Sequence, residues 1–460
     1  MEALLAAAIE RHRRGLVAEA EAEYRRIIAA HPGFAEAHNA LGIALQQQAR
    51  PADAVACFRR AVELKPDYVA AFGNLGAALL ALGQRRDAIA ALDAALVLDP
   101  ANAEAHYNRA CAAQEDGALD RAAEGYGRAV ALNPNHAGAF NNLGMTLRAL
   151  GRLTESLAAY ERATTLAPAN PLIRYGFAQA LLEAGDFQRG WREHEYRFAA
   201  GIAHKRHQQY PRWMGEDIAG RTILVWAEQG LGDTIQFCRH ASMLAKRGVQ
   251  VVLEVQPPLE RLCRGLAGVT VAARGDPLPP FELQAPLMSL PLLMEAEPFA
   301  AGPYLGAGKD WTGRFGEPSG RRVALVWAGS PTHKDDHNRS LPPDALRGLL
   351  TIPDVAFYCF QLGQAPDLPG LRNLPGPIGD FADTAGALLE MDLLISVDTA
   401  VLHLAGALGR PAWALLPYAP DWRWQQSRDD SPWYPSLRLF RQSRRQDWDS
   451  VLDRVAMALQ

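Results

Sequence analysis

The sequence predicts an all-α helical-repeat region followed by an α/β region made of two doubly wound halves. Three observations support this prediction: a 34-residue period in the first two-fifths of the chain, an alternation of strand and helix patterns after about residue 205, and a strand–turn–helix pattern over residues 396–411. At 460 residues, the chain is also too long for one ordinary domain.

Composition restricts the function classes. The net charge of −4 leaves no excess of Lys and Arg to neutralise nucleic-acid phosphates, so we expect no nucleic-acid partner. The five cysteines are scattered without CxxC spacing, which is typical of a reducing compartment. No apolar run reaches the length of a membrane span. We therefore expect a soluble, cytoplasmic protein.

The helical repeat is marked by small residues, turn glycines and prolines at a fixed spacing. Small residues let two antiparallel helices approach, a glycine forms the turn between them, and a proline ends each unit. The period is clearest in five prolines: Pro32, Pro66, Pro100, Pro134 and Pro168. Ala49 fills the one slot in the turn series that lacks glycine. The pattern resembles the tetratricopeptide repeat, with five full repeats to about residue 170 and a divergent sixth, which implies a protein-binding solenoid over residues 1–204.

Asparagines recur at one position of this repeat. Asn74, Asn108 and Asn142 share a register, whereas the second repeat has Ala40 there with Asn39 beside it. Side-chain amides on one helix face can bond the backbone of an extended peptide. The array resembles the asparagine ladder of the O-linked N-acetylglucosamine transferases, which implies acceptor-protein binding. The alternative is that Asn is simply frequent at this position.

Strand and helix patterns alternate in the remaining chain, which predicts parallel sheets in two halves, residues 205–310 and 311–460. The terminal helix, Trp448–Leu459, is a candidate to pack back on the first half. The predicted strands are Thr222–Ala227, Val249–Val255, Val269–Ala273, Val323–Ala328, Ala356–Gln361, Leu393–Val397 and Ala412–Leu416.

The segment from Ser396 to Pro411 carries the strongest site prediction. Asp398 and Thr399 stand between a buried strand and a helix, so one of them is expected to cap the helix through its side chain. The helix start then offers backbone N–H groups to a phosphate. An ordinary helix start in an α/β protein remains the alternative. The residues predicted to bind the ligand are Asp398, Thr399, Ala400, Val401 and His403.

This segment resembles the donor-binding signature of heptosyltransferase-like glycosyltransferases. The resemblance implies a GT-B fold, with two Rossmann-like halves facing across a cleft, a nucleotide-sugar as donor substrate and no further cofactor. It also implies that Asp233, in EQGLGDTIQFCR, is the catalytic base of an inverting transfer. Capping of the following helix is the alternative for Asp233.

The loop after the first strand of the second half adds further candidates. Ser330, Lys334 and Arg339 are predicted to contact the donor diphosphate, and the family resemblance points to Lys334 in particular. Gln361, at a strand end, is a candidate contact for the nucleotide base. A solvated loop is the alternative for the first three, and a polar strand end is the alternative for Gln361.

We expect no metal site, because the only Asp-x-Asp, at Asp447 and Asp449, heads a helix where capping explains it. The leading hypothesis is an enzyme: an inverting, metal-independent glycosyltransferase that moves a sugar to a Ser or Thr hydroxyl of a protein bound by the repeats. The alternatives are an interaction scaffold with an inactive GT-B domain and a glycosyltransferase acting on a lipid or polysaccharide.

Overall fold

A computed structural model describes residues 1–295, 302–306, 311–316, 320–332, 336–363 and 366–460. Packing divides the chain into two compact units, Met1–Gly176 (the repeat unit) and Phe177–Gln460 (the α/β unit). The division falls inside a helix of the sixth repeat, whereas the sequence placed the end of the repeats near residue 204. No helix of the described residues is both long and apolar enough to cross a membrane.

Twelve helices precede the first strand, and they form consecutive antiparallel pairs. Ten lie in the repeat unit, α11 crosses the division and α12 lies in the α/β unit. The helices are α1 Glu2–Arg13, α2 Val17–Ala30, α3 Ala35–Gln47, α4 Pro51–Leu64, α5 Val69–Ala81, α6 Arg85–Leu98, α7 Ala103–Glu115, α8 Leu119–Leu132, α9 Ala137–Ala149, α10 Leu153–Leu166, α11 Pro171–Glu183 and α12 Phe187–His194.

Small residues set the distance between paired helices, as the repeat pattern predicts. A Cβ added at Gly76 would lie 2.4 Å from Cγ of Leu92, and one at Gly144 would lie 2.9 Å from the ring of Tyr160. Because these contacts are shorter than van der Waals distance, a side chain at either glycine would push the helices apart. The larger residue of each pair fills the space left by the glycine.

Ala49 occupies a turn where the other repeats place glycine, and its φ is +56°. A left-handed conformation costs a residue with a Cβ about 1–2 kcal/mol. We therefore predict that Ala49→Gly raises the free energy of unfolding of the repeat unit by about 0.5–1 kcal/mol, after the greater flexibility of glycine in the unfolded chain is subtracted. Urea unfolding followed by circular dichroism measures the change, and a lower midpoint for the variant would contradict the prediction.

All strand pairs in the two sheets of the α/β unit are parallel. The strands are β1 Thr222–Trp226, β2 Gln250–Val255, β3 Val269–Ala273, β4 Leu283–Pro286, β5 Arg321–Val326, β6 Val355–Cys359, β7 Leu371–Arg372, β8 Leu393–Val397, β9 Ala412–Leu416 and β10 Leu437–Arg441. The first sheet has the order β3-β2-β1-β4 and the second β10-β9-β8-β5-β6-β7. The α/β class with parallel sheets is thus confirmed.

Helices connect these strands. Two of them are not continuous α-helices: the helical segment after β1 is broken at Cys238, and Pro343–Thr351 is a 3₁₀-helix. The α-helices are α13 Leu231–Phe237, α14 Arg239–Ala245, α15 Glu260–Cys263, α16 Leu290–Leu293, α17 Asp336–Arg339, α18 Phe381–Leu389, α19 Ala400–Ala407 and α20 Trp448–Leu459.

The terminal helix α20 packs on the second sheet, so the expectation that it returns to the first half is wrong. Val451 and Val455 belong to the apolar cluster that contains Val323 of β5 and Phe440 of β10. Only residues 442–447 separate β10 from α20, and this short connection favours packing on the adjacent face of the same sheet.

One apolar core runs through both sheets. It includes Val225 of β1, Leu404 of α19 and Trp433. The open cleft expected between the two halves is therefore replaced, where α13 and α19 meet, by packed side chains. The two sheets thus share this core, while the opposite face of each sheet packs in a cluster of its own.

Among the buried histidines of the α/β unit, His194 and His240 have a pKa that burial lowers. The pKa of His240 falls to about 3, because desolvation and the nearby charge of Arg239 disfavour the imidazolium. Below pH 6.5, the unfolded chain therefore binds protons that the native state excludes, so stability falls as pH falls. For His194 the direction is the same.

We predict that the α/β unit loses about 1–2 kcal/mol of unfolding free energy for each of these histidines between pH 6.5 and 5. His240→Phe should remove its share of the slope, and His337→Phe, at an exposed position, should not. Denaturant unfolding followed by tryptophan fluorescence measures this unit alone, because all ten tryptophans follow residue 190. Equal slopes in the two variants would contradict the assignment.

Candidate functional site

The second sheet changes winding direction between β5 and β8. From β5 the chain continues to β6 and β7 on one side, then returns to β8, β9 and β10 on the other. Ligands of open α/β sheets bind beyond the carboxyl ends of the strands at such a reversal. The described residues that follow these two strands, 327–332, 336–340 and 398–399, include Ser330, Arg339, Asp398 and Thr399 of the predicted donor site.

The start of α19 has free backbone donors. Within the described residues, the N–H groups of Ala400 and Val401 have no hydrogen-bond acceptor, whereas those of Leu402 and His403 donate to the carbonyl of Thr399. Thr399 is the N-cap residue, but its side chain does not cap the helix; its hydroxyl lies 3.0 Å from that of Ser396. The predicted side-chain cap is therefore wrong, and two N–H groups at the helix start stay available to an anion.

Asp398 turns away from the helix start and faces a buried histidine. Its Oδ1 lies 3.7 Å from Nε2 of His403, whose Nδ1 lies 2.9 Å from the hydroxyl of Tyr434. Burial raises the pKa of Asp398, but His403, Trp424 and the charge of Arg423 together outweigh burial and lower that pKa to about 2. Trp424 stacks on the imidazole with ring centroids 5.5 Å apart. Asp398 is thus ionised at neutral pH, and it holds His403 in position.

Asp233 lies at the start of α13, which packs against α19. A Cβ added at Gly232 would lie 2.9 Å from Cδ2 of His403, so the two helix starts are in direct contact. The Asp233 carboxylate accepts a 2.8 Å hydrogen bond from the N–H of Gly230 and a second bond from the guanidinium of Arg423. It therefore closes the first turn of α13, as the capping alternative expects, and it stands beside the predicted donor site as well. The side chain retains 21% of its exposure.

Arg423 connects the two halves, and in the sequence it stands with Asp421 in an aromatic-rich run, residues 417–435, that suits stacking on a base or sugar. It donates to Asp421 at 2.7 Å and to Oε1 of Gln236 at 2.6 Å, in addition to Asp233. Its guanidinium lies over the ring of Trp422, 4.3 Å from the centroid. Burial opposes the charge, but the carboxylates of Asp421 and Asp233 raise the pKa of Arg423 above its usual value. Its position in that aromatic-rich run was the signal for Arg423 in the sequence.

The loop after β5 holds two of its predicted residues in contacts of their own. Arg339 pairs with Asp336 at 3.1 Å, and both side chains lie over Gly329. The hydroxyl of Ser330 lies 2.8 Å from that of Thr332. Lys334 lies outside the described residues.

Gln361 supports the end of β5. Its Oε1 accepts hydrogen bonds from the backbone N–H groups of Trp327, at 3.3 Å, and Ala328, at 3.0 Å. The side-chain oxygen thus bonds the backbone at the end of β5, while the amide nitrogen has no acceptor among the described residues. Contact with a nucleotide base stays a prediction.

In the repeat unit, the asparagine series is partly bonded to itself. Asn74 donates to Oδ1 of Asn39 at 2.9 Å, so Asn39 takes the place that Ala40 leaves empty. Asn142 donates to the hydroxyl of Tyr107 at 3.2 Å. Asn108 has no side-chain partner in the described part of the chain and keeps its whole amide for a ligand.

A metal site requires several donor side chains to lie close together. Among the described residues, no group of three or more His, Cys, Asp and Glu side chains is placed to hold a metal ion. Asp447 caps α20 by accepting from the N–H of Ser450, as its sequence position predicts. The five cysteines are free thiols.

Comparisons with known proteins find the repeat and one curated relative. Tetratricopeptide-repeat models match residues 35–68, 74–137 and 107–171. Protein FlbA of Caulobacter vibrioides is 25% identical over 64% of this chain and 56% of its own length, so the chain spans little more than half of that relative. Because residues 1–204 are less than half of the chain, a match of this extent continues into the α/β unit.

Similar solved structures match about two-fifths of this chain. PilF of Pseudomonas aeruginosa is 17% identical with a TM-score of 0.41, over 43% of this chain and 90% of that one. TTC0263 of Thermus thermophilus, a tetratricopeptide-repeat protein, is 24% identical with a TM-score of 0.34, over 39% and 98%. From the matched models and the helix pairs, the first part of this chain is an array of tetratricopeptide repeats.

Proposed function

We propose that the α/β unit is an inverting glycosyltransferase, and that it moves a sugar from a nucleotide-sugar to a Ser or Thr hydroxyl of a protein bound by the repeats. The observation that carries the proposal is the meeting of two helix starts. One, α19, has two unbonded N–H groups at the reversal of the sheet, and the other, α13, brings a carboxylate beside it.

The donor diphosphate is assigned to the N–H groups of Ala400 and Val401. A helix start carries a partial positive charge, and its free N–H groups bond phosphate oxygens directly. These groups stabilise the charge that grows on the leaving diphosphate as the sugar departs. In this proposal Arg339 of α17 supplies further positive charge, and Lys334 stays a prediction from the sequence.

Asp233 is assigned the role of general base, which takes the proton of the acceptor hydroxyl. As the bond from C1 to the diphosphate breaks, the hydroxyl oxygen bonds to C1 and its proton passes to the carboxylate. Arg423 holds the same carboxylate, so the base is oriented before the acceptor arrives. The acceptor chain is assigned to the asparagine face of the repeats. Asn108 can bond it without first breaking another side-chain hydrogen bond, because it has no side-chain partner among the described residues.

A scaffold with an inactive α/β unit is the second candidate, and specific contacts favour it. Asp233 is already bonded to Gly230 and Arg423, and α13 packs directly on α19. Three carboxylates, Asp233, Asp398 and Asp421, surround the single guanidinium, which opposes the approach of a diphosphate. A scaffold of this kind binds protein through its repeats and no nucleotide.

Calorimetry with UDP-, ADP-, GDP- and CMP-sugars separates the two candidates. The glycosyltransferase proposal expects one base to bind with a dissociation constant in the micromolar range, and the scaffold binds none. Intact-mass analysis of proteins co-expressed with the chain then tests the acceptor, because only protein modification adds the mass of a sugar. Sugar found on lipid or polysaccharide instead would redirect the proposal to that acceptor class.

A further inference from the structure

A cavity of about 350 Å³ lies at the carboxyl ends of β1 and β4. Trp226 and Pro286, the last residues of these strands, line it. The first sheet reverses its winding here, since β2 and β3 follow β1 on one side and β4 lies on the other. The cavity therefore occupies the place where open α/β sheets bind ligands, and its volume falls in the range of small-molecule sites.

The cavity is separate from the proposed transfer site. Trp226 packs with Leu224 and Val252 in a small cluster on one face of the sheet. Val225 points to the other face and joins the main core together with Ile235 of α13. Asp233, at the start of α13, thus belongs to the opposite side of β1.

Aromatic rings form part of the cavity wall. The ring of Tyr210 lies 4.1 Å from that of Phe281, centroid to centroid, which fixes its orientation. Phe198 is half-buried, and the guanidinium groups of Arg197 and Arg212 lie 4.3 and 5.7 Å from its ring centroid. Flat apolar surfaces held in this way suit stacking on a planar ring.

The charged side chains that line the cavity are all basic: Lys205, Arg206 and Arg212. Arg206 pairs with buried Glu254 at 2.7 Å, and Arg212 pairs with Glu195. Lys205 is exposed and has no carboxylate partner among the described residues. After these pairs are counted, the cavity keeps a positive charge.

We propose that this cavity binds a small organic anion in which a phosphate or carboxylate is joined to a planar ring. Lys205 bonds the anionic group, and the rings of Tyr210 and Phe198 contact the planar part. This site does not depend on the transfer reaction. A test of it is therefore independent of the glycosyltransferase proposal.

Calorimetry on the full chain with phenyl phosphate, inorganic phosphate and phenol tests the site. Phenyl phosphate should bind with a dissociation constant below about 1 mM, and inorganic phosphate and phenol should each bind at least about tenfold more weakly. Raising the salt from 50 to 500 mM should weaken binding, because the charges lie near solvent. Phosphate can also bond the free N–H groups of α19, so the Lys205 variant assigns the binding to this cavity.

Variants locate the binding. Lys205→Ala should weaken phenyl phosphate about five- to tenfold, and Lys246→Ala, at an exposed position on another surface, should have no effect. Unchanged tryptophan fluorescence confirms that both variants fold. Absence of phenyl phosphate binding, equal affinities in the two variants, or inorganic phosphate binding as tightly as phenyl phosphate would each overturn the proposal.

Discussion

Asp233→Asn is expected to lower the transfer rate by about 10²–10⁴-fold while the donor still binds with nearly wild-type affinity. General-base catalysis contributes a factor of this size, and an amide cannot accept the proton of the acceptor hydroxyl. The amide oxygen can still accept the N–H of Gly230, so the first turn of α13 should persist. The pairing with Arg423 weakens, which costs stability without unfolding the unit.

Three readouts are needed for this variant: sugar mass on the acceptor, calorimetric affinity for the donor, and the unfolding midpoint. Asp276→Asn is the matched control, because Asp276 is an exposed aspartate of the same half. A large loss of transfer with unchanged donor affinity assigns Asp233 as the base. Full transfer activity would return Asp233 to the capping role that its bond with Gly230 already shows.

Arg197→Met is expected to lower the unfolding free energy of the α/β unit by about 3–5 kcal/mol. Arg197 is fully buried and donates to Glu228 at 2.9 Å, to Glu195 at 2.8 Å and to the hydroxyl of Ser289 at 2.8 Å. Burial raises the pKa of Glu228 despite this pairing. Removing the arginine leaves a buried carboxylate without its partner, and that cost exceeds what an exposed ion pair contributes.

A double variant separates the lost pair from lost packing. Arg197→Met with Glu228→Gln removes both charges, and the glutamine oxygen can still accept one of the two backbone N–H groups, of Leu287 or Met288, that now bond separate oxygens of Glu228. The double variant should recover part of the loss. Arg192→Met, at an exposed position, should change stability by less than about 0.5 kcal/mol. A single-variant loss below 1 kcal/mol would contradict the account.

Periodic features were predictable because each repeat or strand leaves a local pattern. Gly76 and Gly144 lie against Leu92 and Tyr160 of the paired helix. Small residues at these points of close approach are what the 34-residue period predicts. Strands β3, β8 and β9 have the predicted bounds, since each is a short apolar run between turn residues. β4, β7 and β10 were missed, because β4 lies in a proline-rich connector, β7 has only two residues and β10 alternates with arginine at an edge.

The site was predictable in its location and less so in its contacts. The sequence placed Asp398, Thr399 and His403 together, but it assigned a capping role that neither Asp398 nor Thr399 has. Of the actual partners, Ser396 lies within the same segment, whereas Tyr434 depends on packing that no local pattern encodes. The same holds for Arg423, which meets Asp233 across 190 residues of chain.

The free N–H groups at the start of α19 are the centre of the account, and Ala400→Pro tests them directly. Proline suits the first helical position, and Thr399 already has the extended conformation that precedes proline, with φ −141° and ψ 167°. The substitution removes one N–H and leaves the helix. Ala103→Pro makes the same change at the first residue of α7, outside the site.

With the nucleotide-sugar that binds best, calorimetry should show about 10- to 100-fold weaker binding for Ala400→Pro and no change for Ala103→Pro, since a hydrogen bond to a charged group contributes about 1.5–3 kcal/mol. Both variants should keep the tryptophan fluorescence of the parent. Equal donor affinity in Ala400→Pro and the parent chain would contradict the assignment of this helix start to the diphosphate.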